Sequence, residues 1–135
     1  YTIDVDESLE QEEVLLPSLM VQPFAENAIW HGLMHKQGDK KLDIKFTNHH
    51  DDYLTCIIED NGIGRRAAAA IRKKNISTMV HESKGIRIIE ERLSLLQRKT
   101  GKPARVEIFD KSDDAGGPAG TRVVIIIPFY NKEEV

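Results

Sequence analysis

Apolar and polar residues alternate most cleanly in Leu42-Asp43-Ile44-Lys45-Phe46, the period of a half-buried strand. A turn at His49 to Asp52 follows, and Tyr53 to Glu59 returns as a second strand, so the two predict a hairpin. Thr2 to Asp6 and Arg105 to Phe109 alternate in the same way. Gly120 to Pro128 is the last predicted strand; its Val123–Ile127 run does not alternate, as in a central strand covered on both faces or nearly so.

Two stretches carry a helical period instead. Leu19, Phe24, Ala28 and Leu33 share an approximate face, which predicts a helix from Ser18, a capping residue, to about Met34, with Pro23 awkward near its start. Ile86, Ile89, Leu93 and Leu96 predict an amphipathic helix from Lys84 to about Lys99, ended by Gly101. Arg65 to Lys74 is alanine-rich and helix-compatible. Glu7 to Glu13 reads as an exposed connection and Asn75 to Ser83 as a loop without period. Helices with mainly antiparallel strands predict an α+β fold, a two-layer sandwich with a mixed sheet.

Composition narrows the class. The 135 residues suit one domain spanning 1–135. The chain starts at Tyr1 without methionine, as expected of a piece of a longer protein. A net charge of −3 gives no electrostatic case for nucleic acid or acidic membrane. The longest apolar run is far shorter than the roughly 20 residues that span a bilayer. Cys56, the single cysteine, lies in a strand and reads as a small buried hydrophobe; a reducing compartment fits.

Candidate chemistry gathers at a few points. Ile57-Ile58-Glu59-Asp60-Asn61-Gly62-Ile63-Gly64 is an apolar strand ending in a carboxylate and a turn with two glycines, where backbone can approach a ligand closely. Read alone it is also an ordinary Asp-Asn-Gly turn. Gly62 to Ala67 fits a loose dinucleotide fingerprint too, but Ile76 to His81 makes a poor second strand for that fold. Asn27, beside Glu26, stands mid-helix, where asparagine has no local advantage; its amide oxygen is a hard donor suited to a cation, or part of a solvated face. His31 and His35 are spaced for a shared zinc, without an obvious third ligand. Arg65, Arg66, Arg72, Lys73 and Lys74 form a basic patch, by default a solvated helix face.

Taken in order, Gln22-Pro23-Phe24-Ala25-Glu26-Asn27-Ala28-Ile29-Trp30-His31-Gly32, Asp60 to Gly64, Lys84-Gly85-Ile86 and Gly120-Thr121 resemble the four sequence boxes of the GHKL ATP-binding fold. That superfamily includes gyrase, ninety-kilodalton heat-shock chaperones, histidine kinases and mismatch-repair ATPases. The wording Gln-Pro-x-x-Glu-Asn-Ala-x-x-His-Gly is most similar to its LytS-like sensor histidine kinases, and the resemblance runs from about Pro17 to Pro128.

The resemblance implies a GHKL fold with ATP and Mg²⁺ as cofactors. It implies that Asp60 accepts from the adenine amine, that Asn27 ligates the Mg²⁺, and that Glu26 and Asn27 form the catalytic pair. His31, Gly62, Gly64 and Thr121 would line the nucleotide pocket, and Lys84 and Gly85 would meet phosphate at a helix start. Some positions depart from the pattern: Trp30 replaces a basic residue, Ser83 a glycine and Ile88 an asparagine. Pro23 occupies the place of the general base of ATP-hydrolysing relatives, which points to phosphotransfer rather than water activation. The implied acceptor is a histidine on separate dimerisation helices, a context that none of the five histidines here shares. A homodimeric parent in the bacterial inner membrane, with this domain in the cytoplasm, and a downstream response regulator complete the implication. The alternative is a degenerate GHKL module that binds nucleotide weakly and acts by docking.

Overall fold

The computed structural model describes residues 1–50, 52–67 and 76–129, leaving aside the side chains of 11–18, 31 and 76–83. The strands are β1 (Thr2–Val5), β2 (Leu42–His49), β3 (Tyr53–Asp60), β4 (Arg105–Ser112) and β5 (Pro118–Pro128). They form one sheet in the order β1-β2-β3-β5-β4, with β1 parallel to β2 and every other pair antiparallel. Helix α1 (Gln11–Asn27) runs straight into a π-helical segment, Ala28–Leu33, and helix α2 is Ile76–Thr100. This is the predicted α+β architecture.

Strand alternation places the core. Leu42, Ile44 and Phe46 of β2, Leu54, Cys56 and Ile58 of β3, and Val123, Ile125 and Ile127 of β5 are buried and meet Val21 and Phe24 of α1 and Ile89, Leu93 and Leu96 of α2. Cys56 is fully buried, and burial pushes its thiol pKa up to about 12, so it is a packing residue as the sequence suggests. The predicted hairpin is present, with Phe46 opposite Cys56 and Ile44 opposite Ile58.

Several boundaries differ from the sequence reading. The first helix begins at Gln11 rather than Ser18, so the expected acidic connection ends early. Glu12 and Glu13 suit a first helical turn, where the dipole favours negative charge. Pro23 lies within this helix without ending it. The second helix begins at Ile76, so most of the expected Asn75–Ser83 loop is helical. Once the amphipathic stretch forms, each added residue gains a hydrogen bond, and extension needs no apolar period. Strand β5 is an interior strand, paired with β3 on one side and β4 on the other as expected, but Val124 and Ile126 on its second face are only half-buried because the helices cover one face. Gly101 ends α2 as expected, at φ 70° with its N–H bonded to the Gln97 carbonyl. The expected helix after Gly64 is present at residues 65–67; its remainder, with Arg72, Lys73, Lys74 and Asn75, lies outside the described residues.

Ile125 has no solvent exposure and sits between β3 and β4 under the helices. Ile125→Ala should cost about 2–5 kcal/mol in urea unfolding, the range for a buried aliphatic truncation. A loss below about 1 kcal/mol would contradict this packing.

Candidate functional site

Strand β3 keeps its alternation to its last residue, so Asp60 falls on the core side and is only 5% exposed. Register places Thr121 of β5 beside it and Asp110 of β4 beyond, a polar row across one end of the sheet's helix-facing side. The Asp60 carboxylate accepts the Gly62 N–H at 2.8 Å, closing a tight turn. Burial raises its pKa above the ordinary value of 3.8, against the opposing pull of the Gly62 and Thr121 N–H groups and the Lys111 charge.

Asn61 fastens this turn to the preceding loop. Its N–H donates to the Lys41 carbonyl at 3.2 Å and its side-chain oxygen accepts the Lys41 N–H at 2.7 Å. Its amide nitrogen donates to Asp39 at 2.9 Å, and Lys36 Nζ donates to the Asn61 carbonyl at 2.7 Å. The sequence marked this residue only as part of a turn. Gly64 has φ 86°, a conformation that favours glycine. Gly120 is similar at φ 116°, and a Cβ there would lie 2.0 Å from the Asp60 carbonyl oxygen.

The helix layer supplies the opposite wall. Asn27 is the last residue of α1, and its Oδ1 is buried with no hydrogen-bond partner, the single such side-chain atom among the described residues. A buried, unpaired amide oxygen is costly to a fold. It lines one cleft with Asp60, Gly64 and Thr121, between apolar walls that include Phe24, Ile58, Ile86 and Val123. Arg65 also lines the cleft and makes a two-pronged ion pair with Asp110, at 2.7 and 2.8 Å. In the sequence Ile108 reads only as part of an alternating strand, Ile86 as part of the Lys84-Gly85-Ile86 box and of an apolar helix face, and Arg65 by default as part of a solvated face.

Asn27, Asp60, Gly64 and Thr121 are thus brought together, with Gly62 in the turn at Asp60. Glu26 is exposed and accepts from the Gln22 amide at 3.1 Å, outside the cleft lining. His31 falls within the π-helical segment, and its side chain is outside the described residues. Lys84 and Gly85 need correction in one respect. They lie inside α2, not at its start, so the Gly85 N–H belongs to the helix rather than to a free N-terminus. Gly85 faces Pro23 of α1, where a Cβ would make ordinary contact at 3.7 Å. Among the described residues no three metal-ligating side chains cluster, and the His31 side chain of the zinc reading lies outside them.

The donor set fits a nucleotide with its cation. Asn27 offers the orphaned hard oxygen that Mg²⁺ takes, Asp60 keeps free lone pairs for an amine donor, and apolar walls suit a base.

In sequence the chain is similar to sensor histidine kinases. The chain is 30% identical over 133 residues to the sensor histidine kinase YesM of Bacillus subtilis, covering 98% of this chain and 20% of that protein. It is 24% identical over 139 residues to the sensor histidine kinase/phosphatase LytS of Staphylococcus aureus, covering 99% of this chain and 22% of the relative. The blue-light activated histidine kinase of Erythrobacter litoralis EL346 shares the fold, with TM-score 0.61 at 15% identity over 99% of this chain and 36% of that one. The chain spans 11% to 31% of the length of curated relatives that include YesM and LytS. No protein-family model matches it.

The buried Asp60 carboxyl gives a pH signature. Its raised folded pKa means that the folded protein holds this proton more tightly than the unfolded chain does. Its contribution to stability therefore falls as pH rises from the ordinary carboxylate range through the raised value. Asp60→Asn cannot titrate, so the wild type should gain melting temperature relative to the variant as pH is lowered from 7 towards about 4. Parallel melting curves for the two proteins across that range would show that Asp60 is not desolvated.

Proposed function

We propose that this chain, which belongs to the LytS-like sensor histidine kinases, is their ATP-binding catalytic domain and places the ATP γ-phosphate for transfer to a histidine on separate dimerisation helices. The observation that carries the reading is the buried, partnerless Asn27 Oδ1 in the same cleft as the buried Asp60 carboxylate. When bound, ATP supplies the phosphoryl group and Mg²⁺ neutralises its charge.

The chain's own residues bind and orient. Asp60 accepts from an exocyclic amine, which guanine lacks at the corresponding position, and Thr121 stands next to it on β5. Gly62 and Gly64 keep side chains away from the base, and Phe24, Ile58 and Ile86 exclude water. Asn27 holds the metal, and the resemblance assigns a nucleotide contact to His31, whose side chain lies outside the described residues. Lys84, exposed in α2 ahead of Ile86, and Gly85 lie towards the phosphates. Glu26 stands exposed beside Asn27, bonded to the Gln22 amide, where it can also meet the incoming histidine. Pro23, at the place of a water-activating base, cannot remove a proton. Catalysis by such a site is positioning and charge neutralisation.

The dimerisation helices, a homodimeric parent anchored in the bacterial inner membrane, and a response regulator follow as partners of the parent kinase. No helix among the described residues is long and apolar enough to cross a membrane. The interior position of Gly85 favours one competing reading, a docking module with weak nucleotide affinity.

Two measurements test the proposal. Asn27→Ala should abolish the Mg²⁺ enhancement of ATP binding with little change in melting temperature; undiminished enhancement in the folded variant removes Asn27 from the metal. Asp60→Asn replaces an acceptor oxygen by a donor, a mismatch of about 1–3 kcal/mol, and should weaken ATP binding roughly tenfold or more. Equal wild-type affinity for ATP and GTP would sink the adenine assignment, and absence of measurable ATP binding would favour the docking module.

A further inference from the structure

Gly32 is a helical residue with no local reason to be glycine. It lies near the end of the π-helical segment, and it does not adopt the left-handed backbone that would require glycine. Glycine is among the poorest residues inside a helix. The space around it supplies the reason. A Cβ at Gly32 would lie 3.0 Å from Asp60 Oδ1 and 3.5 Å from its carboxyl carbon, with the Gly62 Cα at 3.6 Å. From the other side the contact is closer: a Cβ at Gly62 would lie 2.4 Å from the Gly32 carbonyl carbon and 2.5 Å from its Cα. The Gly32 carbonyl then accepts the Ile63 N–H at 3.2 Å. The helix layer therefore meets the turn after β3 through two facing glycines and one hydrogen bond. The Asp60 carboxylate, held by the Gly62 N–H at 2.8 Å, lies so close that a side chain at Gly32 would press on it and shift it by a few tenths of an ångström.

We propose that Gly32 is a positioning residue for base selection: its missing side chain lets the Asp60 carboxylate lie where it accepts from the purine amine, and its contact with Gly62 sets that carboxylate relative to Asn27. The inference rests on the reading of Asp60 as the purine acceptor. It separates two parts of the site. Gly32 acts on the carboxylate, whereas Asn27 stands five residues earlier in the same helical layer. Gly32→Ala thus displaces the acceptor and leaves the metal ligand in place. Gly62→Ala, by contrast, would collide with backbone and part the two layers.

The experiment compares Mg²⁺-dependent binding of ATP and of inosine triphosphate, which has a carbonyl in place of the amine. The wild type should prefer ATP by about tenfold or more. Gly32→Ala should bring that preference to within about threefold while keeping the Mg²⁺ enhancement of binding. A merely structural defect would weaken both nucleotides together and leave the preference intact, which overturns the proposal. A wild type without preference indicts the Asp60 assignment rather than Gly32, and a ligand-free measurement then decides. Melting temperatures of wild type, Gly32→Ala, Asp60→Ala and the double variant form a cycle. Gly32→Ala should lower the melting temperature in the wild type and leave it unchanged or higher once Asp60 is alanine. If Gly32→Ala fails to fold, recovery of folding in the double variant supports the contact. Equal shifts in both backgrounds, or no recovery, overturn it.

Discussion

Two polar groups are buried where the helix layer meets the end of the sheet, and the arrangement of the domain follows from that. Asn27 Oδ1 has no partner within the protein, and the Asp60 carboxylate is held away from water. Each is unfavourable for folding alone. Apolar residues of similar size would make a more stable core. What holds them is structure on every side: the β3–β5 register under Asp60, the Asn61 hydrogen bonds fixing the loop before β2, and the glycine contact that seats the π-helical segment on the turn. A π-helical segment directly after Asn27 fits the tendency of such segments to mark functional sites.

Much of this was legible in the sequence because short-range patterns carried it. Clean alternation in Leu42–Phe46 and the return of Tyr53–Glu59 gave the β2–β3 hairpin; the strand runs one residue further than predicted, and its period of two puts Asp60 on the buried side. The run of Ile89, Leu93 and Leu96 gave the buried face of α2. Asn27 stood out because asparagine gains nothing mid-helix. The ordered motifs carried the resemblance to LytS-like kinases, to which YesM and LytS add sequence similarity over nearly the whole chain.

Other features lay beyond such patterns. Helix ends depend on propagation and on neighbouring elements, so the early starts of α1 and α2 left no periodic trace, and Gly85 moved from a helix start into a helix interior. Contacts between residues far apart in the chain were also hidden. The Arg65–Asp110 pair joins positions that a pattern treats as two solvated charges. Gly32 reads as one more motif glycine until the space beside it is seen to hold a carboxylate from another layer. An exposed ion pair of this kind adds little stability, so Arg65 matters more as a wall of the cleft.

The most direct measurement is an amide chemical-shift titration of the domain with ATP and Mg²⁺. Saturating shifts should appear at Gly32, Asn61, Gly62, Ile63, Gly64 and Thr121, on both sides of the one cleft. They should be much smaller at the distant Asp6–Asn48 end of the sheet. Shifts confined to the basic surface of residues 65–67, or none at millimolar nucleotide, would contradict a nucleotide site between Asn27 and Asp60.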